Sequence, residues 1–239
     1  MGTEKSNPSR SVSLLNLATR LPAVLLDTPV IVRAALTGLL AQPGSKASIG
    51  KIFADRAARY GERIFIRFGD AKITYSQANE TANRYAAVLA EHGVGRGDVV
   101  GIMLRNSPEA VLTMLAAVKC GAVAGMLNHH QREEVLAHSI GLLNATVLVA
   151  ETDLIEPITS SGAELTGVEL ISVEDFDTAA QGKSTENPAS ADEVQARDPA
   201  FYIFTSGTTG HPKASVMTHL RWLRALAAFG WPVVPEVKM

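Results

Sequence analysis

Between residues 99 and 150 the chain repeats one pattern: a short apolar run, a capped helical stretch, and another short apolar run. Residues 99–104, 122–127 and 146–150 are the apolar runs. They are too short for helices and lack polar alternation, as expected of strands buried on both faces. Asn106-Ser107-Pro108 supplies a capping residue with proline just inside, so a helix opens there; it is predicted to run to about Cys120 and stop at Gly121. Residues 133–143 form the second helical stretch. Strands joined through helices pair by crossovers, which makes the sheet parallel and covers it with helices. The expected fold class is therefore α/β, built of βαβ units with a mostly parallel sheet flanked by helices.

The flanks extend this frame. Residues 49–60 have helical spacing. Residues 64–68 alternate, Gly69-Asp70 turns, and residues 72–75 return, which predicts a hairpin. Ser76 is the expected N-cap of a helix reaching to about His92, with Gly93 at its C′ position. Residues 151–198, rich in Ser, Thr, Glu, Ala and Gly, read as a surface excursion with one strand at 170–173. Ahead of the regular part, Leu14, Leu17, Leu21, Val24 and Leu25 recur at helical spacing, Pro29 breaks the pattern, and Pro43-Gly44-Ser45 links to the body. Two helices packed on the body is the favoured reading of residues 12–42. The alternative is a surface that lies on a membrane as peripheral contact, although its basic residues are few.

Composition removes several functions. The 239 residues are 46% apolar and 19% charged, so a packed core is expected. A net charge of −2 gives no field to attract nucleic acid, so any phosphate site must be local. Cys120 is the single cysteine, which excludes an internal disulfide and a thiolate zinc cluster and fits a cytoplasmic setting. Among small apolar neighbours it reads as a packed residue rather than a nucleophile. No uncharged window reaches the ~18–20 residues of a membrane span. Residues 111–127 come closest, but contain Lys119 and Gly121. Adjacent His129 and His130 would face opposite sides of a strand, and no metal site is expected from them.

The chemistry concentrates after residues 200–204, which read as a buried strand, in Thr205-Ser206-Gly207-Thr208-Thr209-Gly210-His211-Pro212-Lys213. Glycines let a backbone approach a ligand with no Cβ in the way. Successive N–H groups can form an anion nest, hydroxyls add donors, and a lysine adds a charge-assisted bond. This is the composition a triphosphate tail needs. The nucleotide loop with the spacing Gly-x-x-x-x-Gly-Lys-Ser/Thr does not fit, because Pro212 precedes the lysine and Ala214 follows it. Residues 213–217 also read as a strand, with a helix starting only near Thr218 or His219. On composition alone, a polar turn in a β-hairpin remains the alternative.

Residues 202–213 resemble the AMP-binding signature of the adenylate-forming superfamily. Asn128-His129-His130-Gln131-Arg132 is similar to the Asn-x-x-x-Arg turn of the fatty acid transport protein branch, the very-long-chain acyl-CoA synthetases. The resemblance covers roughly residues 12–230 and implies the N-terminal part of the large domain of such enzymes. It implies fatty acid, ATP, Mg2+ and coenzyme A as reactants and cofactors. It places Thr205, Ser206, Gly207, Thr208, Thr209, Gly210 and Lys213 on the β- and γ-phosphates, with no catalytic nucleophile or base identified. His211 occupies a variable position of the loop, and His219 receives no role. The family's later adenine, ribose and lysine motifs are not found before Met239. The expected organisation is a helical lead at 1–45, the AMP-binding portion at 46–230, and an aberrant or truncated tail at 231–239. Two other readings stay open: a non-catalytic nucleotide-binding module, and an adenylate-forming ligase for another acid.

Overall fold

Five strands lie parallel, joined by crossover helices, and a sixth returns antiparallel on one edge. This comes from a computed structural model that describes residues 41–205 and 211–226. The readings of residues 12–40, 206–210 and 227–239 lie outside the described residues. Residues Ala41–Leu223 form one compact unit.

In chain order the elements are α1 (Ile49–Tyr60), β1 (Ile64–Phe68), β2 (Ala71–Thr74), α2 (Tyr75–Glu91), β3 (Val99–Met103), α3 (Pro108–Lys119), β4 (Val123–Met126), α4 (Glu133–Leu143), β5 (Val147–Ala150), α5 (Thr152–Thr159), β6 (Glu169–Ser172), α6 (Val173–Ala180), a 3-10 turn (Ala189–Asp192), β7 (Pro199–Thr205), β8 (Lys213–Thr218) and α7 (His219–Ala225). The small hairpin β1–β2 stands apart from the main sheet, whose order is β6-β5-β3-β4-β7-β8.

Alternate residues of each central strand feed two cores. Val100 and Ile102 of β3 join Phe53 of α1, Leu89 of α2, Leu115 of α3 and Phe176 of α6. Val99 and Met103 join Leu136 and Leu143 of α4 and Leu154 and Ile158 of α5 on the other face. Gly101 and Gly125 pair across β3 and β4. Leu143 packs into the space they leave: a Cβ at Gly125 would fall 2.6 Å from Leu143 Cδ2, and one at Gly101 would meet Leu143 Cδ1 at 3.4 Å.

Three expectations are corrected. The N-cap of α2 is Thr74, not Ser76. Thr74 Oγ1 accepts from Gln77 N at 3.2 Å, and Gln77 Oε1 accepts from Thr74 N at 2.9 Å. This reciprocal box satisfies two donors, so the helix starts at Tyr75 and β2 ends one residue sooner than expected. Residues 151–198 are not simply a surface excursion. Beside the expected strand, β6, which pairs parallel to β5, they add the helices α5 and α6. Leu154 with Ile158, and Phe176 with Ala180, are buried i, i+4 pairs that anchor these two short helices. Finally, β7 is buried only at Ala200 and Phe201; its far half emerges beside β8, where Ile203 is 37% exposed.

Lys119, at the end of α3, is fully buried. Its Nζ donates to Asn79 Oδ1 (2.6 Å), Asn83 Oδ1 (2.7 Å) and Asn187 Oδ1 (2.6 Å). Burial pushes its pKa down to about 8. Three amide oxygens match the three N–H groups of an ammonium, so the charge is held at neutral pH without a carboxylate. Cys120 beside it is buried, and burial pushes its thiol up to about 12. A thiol so protonated is inert, as the sequence suggested.

Candidate functional site

In open parallel sheets, ligands collect beyond the carboxyl ends of the strands. Here that edge carries Arg105 after β3, Asn128 after β4, Glu151 after β5 and Thr205 at the end of β7. Thr205 and Lys213 face each other as the last registered pair of β7 and β8. Both side chains are exposed. Among the described residues no carboxylate pairs with Lys213, so its charge is not spent inside the fold.

The connection between β7 and β8 is thus topologically a hairpin, as the bland alternative required. Its length argues for more than a turn. Residues 206–212 separate the strands, where roughly two to five residues close most hairpins. Ser206, Gly207, Thr208, Thr209 and Gly210 lie outside the described residues. Lys213 opens a strand rather than a helix, which agrees with setting aside the Gly-Lys-Ser/Thr type of nucleotide loop.

The turn at 128–132 spends its two signature residues on itself. Asn128 Oδ1 accepts from His130 N at 2.9 Å, and Asn128 O accepts from Gln131 N at 2.9 Å. The Arg132 guanidinium donates to the carbonyls of His129 and Gln131, both at 2.7 Å. The His129 and His130 rings lie against each other, tilted by 42° with centroids 4.0 Å apart. Burial, then the neighbouring His130, Arg105 and Arg132, hold the His129 pKa below its usual value. Directly after the turn, Glu133 enters α4 at φ +48°, a left-handed conformation that a non-glycine residue adopts only when its surroundings impose it. Nearby, Arg105 forms ion pairs with Glu151 and, at 2.7 Å, with Asp153.

Two histidines that received no role in the sequence reading touch the hairpin. His138 of α4 lies against the last residues before β8: the ring is 4.8 Å from the His211 ring, and Nε2 is 3.2 Å from Pro212 O. A carbonyl only accepts, so Nε2 carries the proton. His219, at the exit of β8, is fully buried. Its Nδ1 accepts from Ile49 N at 3.1 Å, joining the end of the hairpin to the start of α1. The neighbouring Ser48 is likewise buried and caps α1 through its hydroxyl. Among the described residues no group of three His, Cys, Asp or Glu side chains could hold a metal. No described helix is long and apolar enough to cross a membrane.

Comparison with known proteins meets the same region. The family model described as AMP-binding enzyme matches residues 53–238. The medium/long-chain-fatty-acid–CoA ligase FadD6 of Mycobacterium tuberculosis is 67% identical over 92% of this chain, which spans 37% of that relative's length. The rat long-chain fatty acid transport protein 2 is 30% identical over 71% of the chain and 30% of its own length. Among solved structures, the inhibitor-bound N-terminal domain of FACL13 from Mycobacterium tuberculosis superposes with a TM-score of 0.66 at 28% identity, covering 72% of this chain and 44% of that one. A parallel sheet whose last crossover opens into a long glycine- and hydroxyl-rich hairpin, matched by the family model over most of the chain, belongs to the AMP-binding enzyme family.

Proposed function

We propose that the chain is the nucleotide-gripping N-terminal portion of a fatty acid–CoA ligase. In the first half-reaction a fatty carboxylate oxygen attacks the α-phosphorus of ATP and pyrophosphate leaves. In the second, the thiol of coenzyme A attacks the acyl carbonyl and AMP leaves. The observation that carries this reading is the 67% identity to a medium/long-chain-fatty-acid–CoA ligase over 92% of the chain.

In this reading Thr205, Ser206, Gly207, Thr208, Thr209, Gly210 and Lys213 hold the β- and γ-phosphates. Backbone N–H groups and hydroxyls neutralise charge that grows on the departing pyrophosphate, an electrostatic contribution, and they orient the α-phosphorus. The exposed setting of Lys213, with no carboxylate paired to it among the described residues, supports its part. Mg2+ would come bound to the triphosphate oxygens, since the described residues offer no carboxylate cage. We assign residues 46–230 to the AMP-binding portion and residues 1–45 to a lead able to touch the inner face of a membrane. The use of ATP and coenzyme A favours a cytoplasmic setting.

Acid-dependent exchange of pyrophosphate into ATP tests the reading on the 239-residue chain. MgATP binding is expected of this portion, which spans 37% of that relative's length, and any exchange it supports is expected to depend on medium- or long-chain fatty acids. Lys213→Ala should weaken MgATP by about ten- to hundred-fold, the worth of a charge-assisted phosphate contact. Exchange driven by an amino or aryl acid, with none by fatty acid, would overturn the substrate class. MgATP binding without exchange from any acid would favour a nucleotide-binding module that needs further chain to turn over.

A further inference from the structure

We propose that His138 is a positioning residue for the phosphate hairpin: its Nε2–H holds the Pro212 carbonyl and its ring backs His211, fixing the direction in which Lys213 enters β8. The proposal rests on the reading of residues 205–213 as the triphosphate site. Pro212 is the residue before Lys213, so a bond to its carbonyl fixes the peptide plane that carries the Lys213 N–H. Proline has no N–H of its own and a locked φ. Its carbonyl is therefore the one backbone handle at that residue. The 3.2 Å hydrogen bond and the 4.8 Å ring contact both come from one side chain, and both fall on the two residues that precede the lysine.

The same geometry gives the turn at 128–132 a purpose. The side-chain hydrogen bonds of Asn128 and Arg132 fall within their own turn rather than on the hairpin. What the turn does is launch α4, through a Glu133 held at φ +48°. Leu136, Ile140 and Leu143 then bury one face of α4 in the core. With that face anchored, the register of the helix places His138 toward the hairpin. A turn far from the loop in sequence thus acts on it through one core-anchored helix and one imidazole.

The test measures affinity for MgATP and for inorganic tripolyphosphate by calorimetry on the full chain. His138→Asn puts its amide where Nδ1 sits, short of Pro212; it should weaken both ligands about three- to ten-fold, the worth of one ordinary hydrogen bond. His138→Gln, whose amide reaches the Nε2 position, should restore wild-type affinity. In a Lys213→Ala background, His138→Asn should cost clearly less than it does alone, since both act through one loop. Melting of the ligand-free variants separates this from simple destabilisation, which would lower the melting temperature and leave affinity unchanged. If Lys213→Ala weakens binding and His138→Asn does not, the positioning role falls and the phosphate site stands. If Lys213→Ala has no effect, the phosphate site falls and this role with it. A His138→Gln variant as weak as His138→Asn would overturn the hydrogen bond as the means.

Discussion

His219 shows how one side chain converts burial into a pH response. It has no exposure, its Nδ1 accepts the Ile49 N–H, and its Nε2 is buried with no hydrogen-bond partner among the described residues. Burial pushes its pKa down to about 4, against an opposing pull from Asp198, whereas the unfolded chain titrates near ~6.5. Between those values the unfolded chain binds a proton that the folded chain refuses, so stability rises with pH across the window. The contribution is whole above the unfolded value and is lost as pH falls through the folded one. Its ceiling is about 3 kcal/mol. Urea midpoints from pH 4 to 7.5 should fall on acidification, and His219→Asn, which can still accept from Ile49 but cannot titrate, should flatten that slope. An unchanged slope in the variant would assign the acid sensitivity to other groups. Neither this histidine nor His138 was legible in the sequence. Each matters through a partner far along the chain, Ile49 for one and Pro212 for the other, and no local pattern encodes such a pairing.

At the scale of elements, the βα alternation from 99 to 150 was readable because each segment carries its own local reason. Ser107 caps α3 and Pro108 opens it; Gly121, at φ +77°, ends it. The two short helices α5 and α6 were not readable, since each offers just one buried i, i+4 pair and α5 contains Pro157. The contact of α4 on the sheet depends on absent side chains. Leu143 is 2% exposed and occupies the space above Gly101 and Gly125. In Gly125→Ala the new Cβ would lie 2.6 Å and 2.8 Å from the two Leu143 methyls, with no solvent into which that side chain can swing. Overpacking of this kind costs about 1–3 kcal/mol. Denaturant unfolding should show that loss, and shrinking the neighbour in Gly125→Ala/Leu143→Val should recover part of it. A wild-type midpoint for Gly125→Ala would mean that α4 shifts freely, and would also weaken the case that it aims His138.

Across the whole described unit, a buried cation joins several elements at one point. Lys119 ends α3, its stem lies against Gly50 of α1, and its Nζ reaches Asn79 and Asn83 of α2 and Asn187 of the segment that returns to β7. Its carbonyl accepts from Ser190 Oγ at 3.1 Å, and Asn83 also donates to the Thr185 carbonyl at 2.7 Å. One charge therefore ties three helices to the long segment that was expected to be a surface excursion. Lys119→Met keeps the stem and the volume but leaves three asparagine oxygens facing a methyl group. Buried polar groups left without donors cost about 1–3 kcal/mol each, although amide rotation and relaxation recover part of it, so a net loss of about 3 kcal/mol is expected. Loss of the tie should also be regional. Amide exchange should accelerate first in residues 184–192, whose hold on the body runs through Asn187, Thr185 and Ser190, while β3, β4 and β5 keep their protection until global unfolding. Uniform acceleration across the sheet would show that Lys119 supports the core alone. Exchange unchanged in residues 184–192 would show that the segment is held by its other contacts, such as the ion pair of Asp192 with Lys51.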